Sequence, residues 1–302
     1  MRFRPLLVRL LRAAPIAALV TMLVAGAAAS EFPAIAPGEL MRGASQNELD
    51  AAAHLPPYMF LTRKQTLHYS SLKLYVQTSA AVAGRVIAYN DQPLTPQQRK
   101  DEDARTERFL KDPAEMRAKQ KEERDNRDRI NKILKALPDA FLYEYDGFEP
   151  GTATYGRKGS ELLRLRFRPN PDYDPPSRVE QVLTGMTGTA LVEPKRQRIA
   201  RLQGTLVKDV SFGWGLLGHL DKGGGILLEQ TNVASDTWIM SRISIRLTGK
   251  ILLVKSIHYD QTESSTNFQK VAEDLTFAQG LELLKKQEEK LLAENSIPAL
   301  EK

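Results

Sequence analysis

Between Glu161 and Arg168 the chain alternates strictly: Leu163, Leu165 and Phe167 take one parity, Arg164, Arg166 and Arg168 the other. Successive side chains of a strand leave opposite faces, so this stretch makes a strand with one apolar and one wet face. Runs of related character recur at Tyr58–Thr62, Ser71–Val76, Arg85–Tyr89, Ala140–Tyr145, Thr187–Glu193, Arg198–Val210, Gly225–Val233, Asp236–Leu247 and Lys250–Tyr259. Turn-forming residues bound them, with Ser235-Asp236 and Gly249-Lys250 placed as hairpin turns. Roughly ten or eleven strands joined mostly by short turns predict a large antiparallel sheet and not a βαβ fold. The expected fold is mainly β with helices: a curved antiparallel sheet or incomplete β-barrel, an inserted charged helical hairpin, and a C-terminal helix.

The hairpin starts where Thr95 can cap, Pro96 suits the first helical position and Gln98 completes a capping box. Asp112-Pro113-Ala114-Glu115 repeats that logic for a second helix, which is expected to stop at Pro138 because proline disfavours helical geometry in the residue before it. Arg99 to Lys135 holds 13 basic and 10 acidic residues, and apolar positions gather late, at Ile130, Ile133, Leu134 and Leu137. A run so mixed in sign reads as a solvated face with its last turns docked, or as an arm for a protein partner. Residues 273–302 read as a helical tail with Leu281, Leu284, Leu291 and Leu292 on one stripe. Residues 30–57, rich in Pro and small residues, read as a flexible leader, with room for a short helix at Asn47–His54.

At the N-terminus Arg2, Arg4, Arg9 and Arg12 precede an apolar run, Ala13–Val24, and then Gly26-Ala27-Ala28-Ala29. That order is a secretory signal peptide, expected at 1–29 and cut near Ala29 or Ser30. The run is short of the roughly 20 residues that a bilayer span needs, so a cleavable leader and a periplasmic chain are expected; an uncleaved inner-membrane anchor is the alternative. Without those four arginines the net charge of +6 falls to +2, because 39 basic residues then face 37 acids. Nucleic-acid binding, which rests on dense phosphate neutralisation, is not expected.

Catalytic motifs are missing from the sequence. With no cysteine there is no thiolate nucleophile or thiolate metal site. His54, His68, His219 and His258 have no metal-ligand spacing, and Asp139, Glu144 and Glu149 are scattered. Ser70 and Lys73 match S-x-x-K by letter, but in strand-like surroundings, which would send the two side chains to opposite faces. Gly213 to Gly218 matches G-x-G-x-x-G, yet a dinucleotide site needs a helix after the loop, and here a turn leads to another strand. Six glycines in residues 213–225, with Phe212, Trp214, Leu216 and Leu217, read as a mobile apolar lip. No enzyme, cofactor or metal is expected.

Gly188-Thr189-Ala190-Leu191-Val192-Glu193 followed by Arg198-Ile199-Ala200-Arg201-Leu202, then Leu202-Gln203-Gly204-Thr205-Leu206, resembles a strand pair of exported bacterial lipoprotein-sorting proteins, the LolA and LolB carriers and the related sensor domains of sigma-factor regulators. Val210 to Gly213, Gly223-Gly224, Val233 and Trp238 look like an uncharacterised branch of that group, and the likeness covers roughly Tyr58 to Phe268 without the hairpin at 95–137. The resemblance implies an incomplete antiparallel barrel closed by helices around an apolar hollow for acyl chains. No motif carries a functional residue across, and without cysteine the lipid-anchored receptor form is excluded.

Two functions follow as expectations: a non-catalytic periplasmic binding protein for a lipid or lipoprotein acyl chain, or an envelope sensor or scaffold that binds a protein partner through residues 96–137. Leu163, Leu165, Phe167, Phe212, Trp214 and Trp238 are the candidate lining of the hollow; the same residues would equally make an ordinary packed core.

Overall fold

The alternating runs assemble into one sheet. A computed structural model describes residues 32–213, 217–251 and 255–294. Its strands are β1 (Tyr58–Thr66), β2 (Ser70–Gln77), β3 (Val82–Tyr89), β4 (Gln92–Pro93), β5 (Phe141–Pro150), β6 (Glu161–Pro169), β7 (Met186–Glu193), β8 (Arg198–Leu206), β9 (Val210–Phe212), β10 (Gly218–Leu220), β11 (Gly225–Ala234), β12 (Thr237–Ile251) and β13 (Lys255–Lys270). The sheet is open, antiparallel between its named strands and ordered β4-β3-β2-β1-β13-β12-β11-β8-β7-β6-β5, with β9 and β10 attached beside β12. It is not closed into a barrel. The long β12–β13 hairpin joins its two halves, because β13 pairs with β1 and β12 with β11.

Helices α1 (Pro37–Ala53), α2 (Pro96–Lys111), α3 (Pro113–Ala140), the short α4 (Arg178–Gln181) and α5 (Phe277–Ala293) complete the fold. They divide between two apolar cores. At the β5–β8 end, Leu40, Met41 and Ala44 of α1 and Ala136, Leu137 and Ala140 of α3 bury against Leu163, Leu165, Phe167, Ala190 and Leu202. At the β1–β3 end, Phe277, Leu281, Leu284 and Leu291 of α5 bury against Leu61, Leu74, Val76 and Ala83. Each fully buried leucine contributes about 1.5–3 kcal/mol relative to exposure. The tail helix therefore packs on the sheet; its Thr276 and Gln279 form a capping box. No helix among the described residues is long and apolar enough to cross a membrane.

Three expectations shift. Residues 37–53, read as part of a flexible leader, form α1, whose buried Leu40, Met41, Ala44, Ser45 and Glu48 fall on one helical face. The second helix of the hairpin does not stop at Pro138 but runs on to Ala140. Proline removes one backbone hydrogen bond and crowds the carbonyl four residues back, while Leu137 and Ala140 on either side of it are buried. Gly249 and Lys250 lie inside β12, paired with Ile257 and Ser256, and so form no turn. β13 runs on to Lys270 without a single fully buried residue, which is why its second half carries no hydrophobic signal.

The charged hairpin has a structural task. β3 is nearly an edge strand, since β4 covers only its last two residues. Glu102 of α2 accepts the Val86 backbone N–H at 2.7 Å, and Arg105 donates to the Gly84 carbonyl at 2.8 Å. From α3, Glu123 accepts the Val82 N–H at 3.1 Å and Gln120 donates to the Ala80 carbonyl at 3.2 Å. Side chains of the hairpin thus satisfy an edge that would otherwise template further strand pairing. Beyond that edge α3, about 42 Å long at 1.5 Å per residue, reaches the opposite core.

Candidate functional site

α3 is anchored at both ends of the sheet, and its second half, from Arg129 to Leu137, leaves a gap over the central strands. The gap is a groove of about 340 Å³. Ile130, Ile133, Leu134 and Leu137 of α3 face Ile199 and Leu202 of β8, Ile226 and Leu228 of β11, and Met240 of β12 across it. Its walls are overwhelmingly apolar. Ligand pockets commonly measure about 300–1,000 Å³ and are lined in this way, with few polar groups.

The polar atoms at the groove are largely committed. Glu48 of α1 receives Arg198 through Nε at 2.9 Å and Nη2 at 3.0 Å, the Ile199 N–H at 2.9 Å and Gln230 Nε2 at 2.9 Å. Four donors on one carboxylate, with a guanidinium among them, fix the groove floor and leave it without net charge. At the outer edge Ile130 is 59% exposed, an isoleucine facing solvent on an otherwise charged helix. Arg129 sits beside it and donates to Asn126.

The residues expected to line a hollow lie elsewhere. Leu163, Leu165 and Phe167 are buried in the packed core of the β5–β8 end, where the tilted rings of Phe167 and Phe141 lie 4.5 Å apart. Phe212 packs partly buried against the same core. Trp238 is buried on the reverse face with Leu162, Leu191 and Ala200, under Arg198, whose guanidinium lies 5.6 Å from its ring. These five are not among the groove walls. Trp214, Leu216 and the expected signal peptide at 1–29 lie outside the described residues. Sequence reasoning missed the strand side of the groove. Ile226 and Leu228 alternate in Gly225–Val233 and carried that signal, whereas Ile130 to Leu137 had already stood out on the helix.

Among the described residues no group of three or more His, Asp or Glu is placed to hold a metal. Ser70 and Lys73 both belong to β2, three residues apart on an extended strand, so their side chains leave opposite faces. Gly218 opens β10, which pairs with β9 and β12, so a strand and no helix follows the glycine loop. His219, in β10, lies 3.1 Å from Asp221. Asp139 holds Arg42 at 2.8 Å and Glu149 holds Arg164 at 3.1 Å. Comparison with protein families, with curated proteins and with solved structures finds no match.

Proposed function

We propose that the chain is a non-catalytic binding protein of the periplasm, and that it holds the acyl chain of a lipid or lipoprotein in the groove between α3 and strands β8, β11 and β12. The observation that carries this reading is the apolar groove of about 340 Å³ under a helix fixed at both ends. Removing apolar surface from water drives such binding at about 25 cal/mol per Å², and an acyl chain offers little else. The export signal read at 1–29 and the resemblance to lipoprotein-sorting carriers support the same reading. The scaffold alternative rested on the charged helices, and part of that charge is spent on the edge of β3.

Native mass spectrometry of the purified chain, with lipid extraction, tests the proposal; co-purifying acyl species are expected. A fluorescent fatty acid should bind the wild type and bind Leu228→Trp, which fills the groove, far more weakly. Ile130→Glu places a charge at the exposed rim, where folding is not at stake, and should weaken binding as well. A chain that extracts clean and takes up no acyl probe would overturn the reading, as would binding that both substitutions leave untouched.

A further inference from the structure

A second cavity, of about 170 Å³, opens where α2, the start of α3 and α5 meet β2 and β3. Lys73 and Tyr75 of β2, Arg105 of α2 and Lys119 of α3 line it, with Phe109, Phe277 and Leu281. Arg105 and Lys119 lie 5.8 Å and 5.9 Å from the centroid of the same Phe109 ring, so the fold holds two cations against one side chain. Lys73 faces the same space.

The carboxylates nearby offset two of the three charges, those of Arg105 and Lys119, and leave that of Lys73. Glu102 gives both oxygens to Arg105, at 2.6 and 2.7 Å, and shares one with the Val86 N–H. Glu123 takes Lys119 at 3.0 Å and the Val82 N–H. The Lys73 ammonium has neither a hydrogen bond nor an ion pair among the described residues, and the Tyr75 hydroxyl has no hydrogen-bond partner among them. Burial, followed by repulsion from Arg105 and Lys64, holds the Lys73 ammonium below the usual lysine range, against the opposing pull of Glu102 and Glu263. The unspent groups around this cavity are donors: the Lys73 ammonium, the Tyr75 hydroxyl, and the remaining N–H groups of Arg105 and Lys119.

From this arrangement we infer that the cavity is a binding site for an oxyanion of the phosphate-monoester class, held by Lys73, Arg105 and Lys119 with Tyr75 as a neutral donor. A half-buried ammonium without a partner, set beside two further cations, is stabilised when an anion joins it. Hydrogen bonds to an ionised acceptor are about twice as strong as neutral ones. Phe109, Phe277 and Leu281 form an apolar wall on which the ester substituent of such a ligand would rest. The site is separate from the α3 groove and stands whether or not that groove takes an acyl chain.

The test titrates the full chain at low ionic strength with two probes, inorganic phosphate and dodecyl phosphate below its micellar concentration, followed by calorimetry and by backbone amide shifts. Saturable binding that moves the amides of Lys73, Gly84 and Arg105 is expected with at least one probe. Lys73→Met should weaken it at least about tenfold, in line with loss of one charge-assisted bond. Lys119→Gln, a partly exposed position where the substitution keeps most of the side chain's length, should weaken it by a smaller factor. Preference for inorganic phosphate identifies a free anion as the ligand, and preference for the alkyl ester identifies a lipid headgroup. Absence of binding by both probes would overturn the inference, as would binding that shifts other amides or is unchanged in both variants. Failure here leaves acyl uptake by the groove unaffected, so the two proposals fail separately.

Discussion

The carboxylate of Glu102 lies 2.7 Å from the backbone nitrogen of Val86, so a helix side chain takes the place of a neighbouring strand. Glu102 is only 7% exposed and Arg105 holds it in that position. Substitution of Glu102 by alanine should cost about 1.5–3 kcal/mol, the range for a hydrogen bond to a charged group. It should also open the β3 edge to pairing between chains. Denaturant unfolding and light scattering at increasing concentration would check both effects. A variant as stable and as monodisperse as the wild type would show that the edge needs no cap.

Arg85 ties three elements together. It emerges from β3, donates to Glu288 of α5 and pairs with Asp103 of α2 at 2.8 Å. Arg85 and Glu288 are 3% and 2% exposed. Removing one member of a buried pair strands the other charge, at about 3–5 kcal/mol. Glu288→Gln and Arg85→Met should each destabilise strongly, and the double variant by less than their sum. Unfolding of all four proteins of that cycle gives the coupling directly.

Gly188 and Gly204 face each other across β7 and β8 beneath the Phe167 ring. A Cβ on Gly188 would lie 1.9 Å from the Gln203 carbonyl oxygen and 2.7 Å from Phe167. The first contact is backbone and cannot move aside. Gly188→Ala should therefore cost about 1–3 kcal/mol or more, the overpacking range, and lower the thermal midpoint. Gly38→Ala, with nothing within 4 Å of the new atom, is the matched control in the first turn of α1.

Burial raises the carboxyl of Glu229 above the usual glutamate range, while Arg201 and Arg242 act in the opposite direction. A carboxyl whose folded pKa is raised contributes fully while both states are protonated. That contribution is lost as the pH rises from the unfolded value, about 4.3, through the folded one. Glu229→Gln stays neutral throughout. It should match the wild type near pH 3.5 and exceed it at pH 7, as read by thermal midpoints across that range. An equal difference at both pH values would sink the assignment.

Alternation made the β6 strand and its relatives legible, because a half-buried strand writes its two faces into the sequence. The capping box at Thr95 and Gln98 and the leucine stripe of α5 were legible for the same local reason. α1 was not. Its buried face includes Ser45 and Glu48, and the partners that make the burial of Glu48 tolerable, Arg198, the Ile199 N–H and Gln230, lie far along the chain. The second half of β13 was not, since apart from Phe268 it is polar. The groove depends on Ile130 to Leu137 meeting Ile226 and Leu228, and no local pattern reports the distance between a helix and a strand. Leu163, Leu165 and Phe167 were rightly seen as inward-facing, but periodicity does not say whether the inside is filled.

The span of α3 has a mechanical consequence. With its first turns on the β3 edge and its last turns in the far core, the helix is a bowstring and the sheet is the bow. The string's length comes in steps of about 1.5 Å, and each added residue also turns everything downstream by about 100°. One inserted residue would swing Ile133 and Leu137 out of the far core and change the sheet's curvature little. Seven inserted residues, close to two turns, would restore their facing and let the sheet relax outward. The reach between the two cores that α3 joins is thus counted in residues of a helix that donates no strand to the sheet.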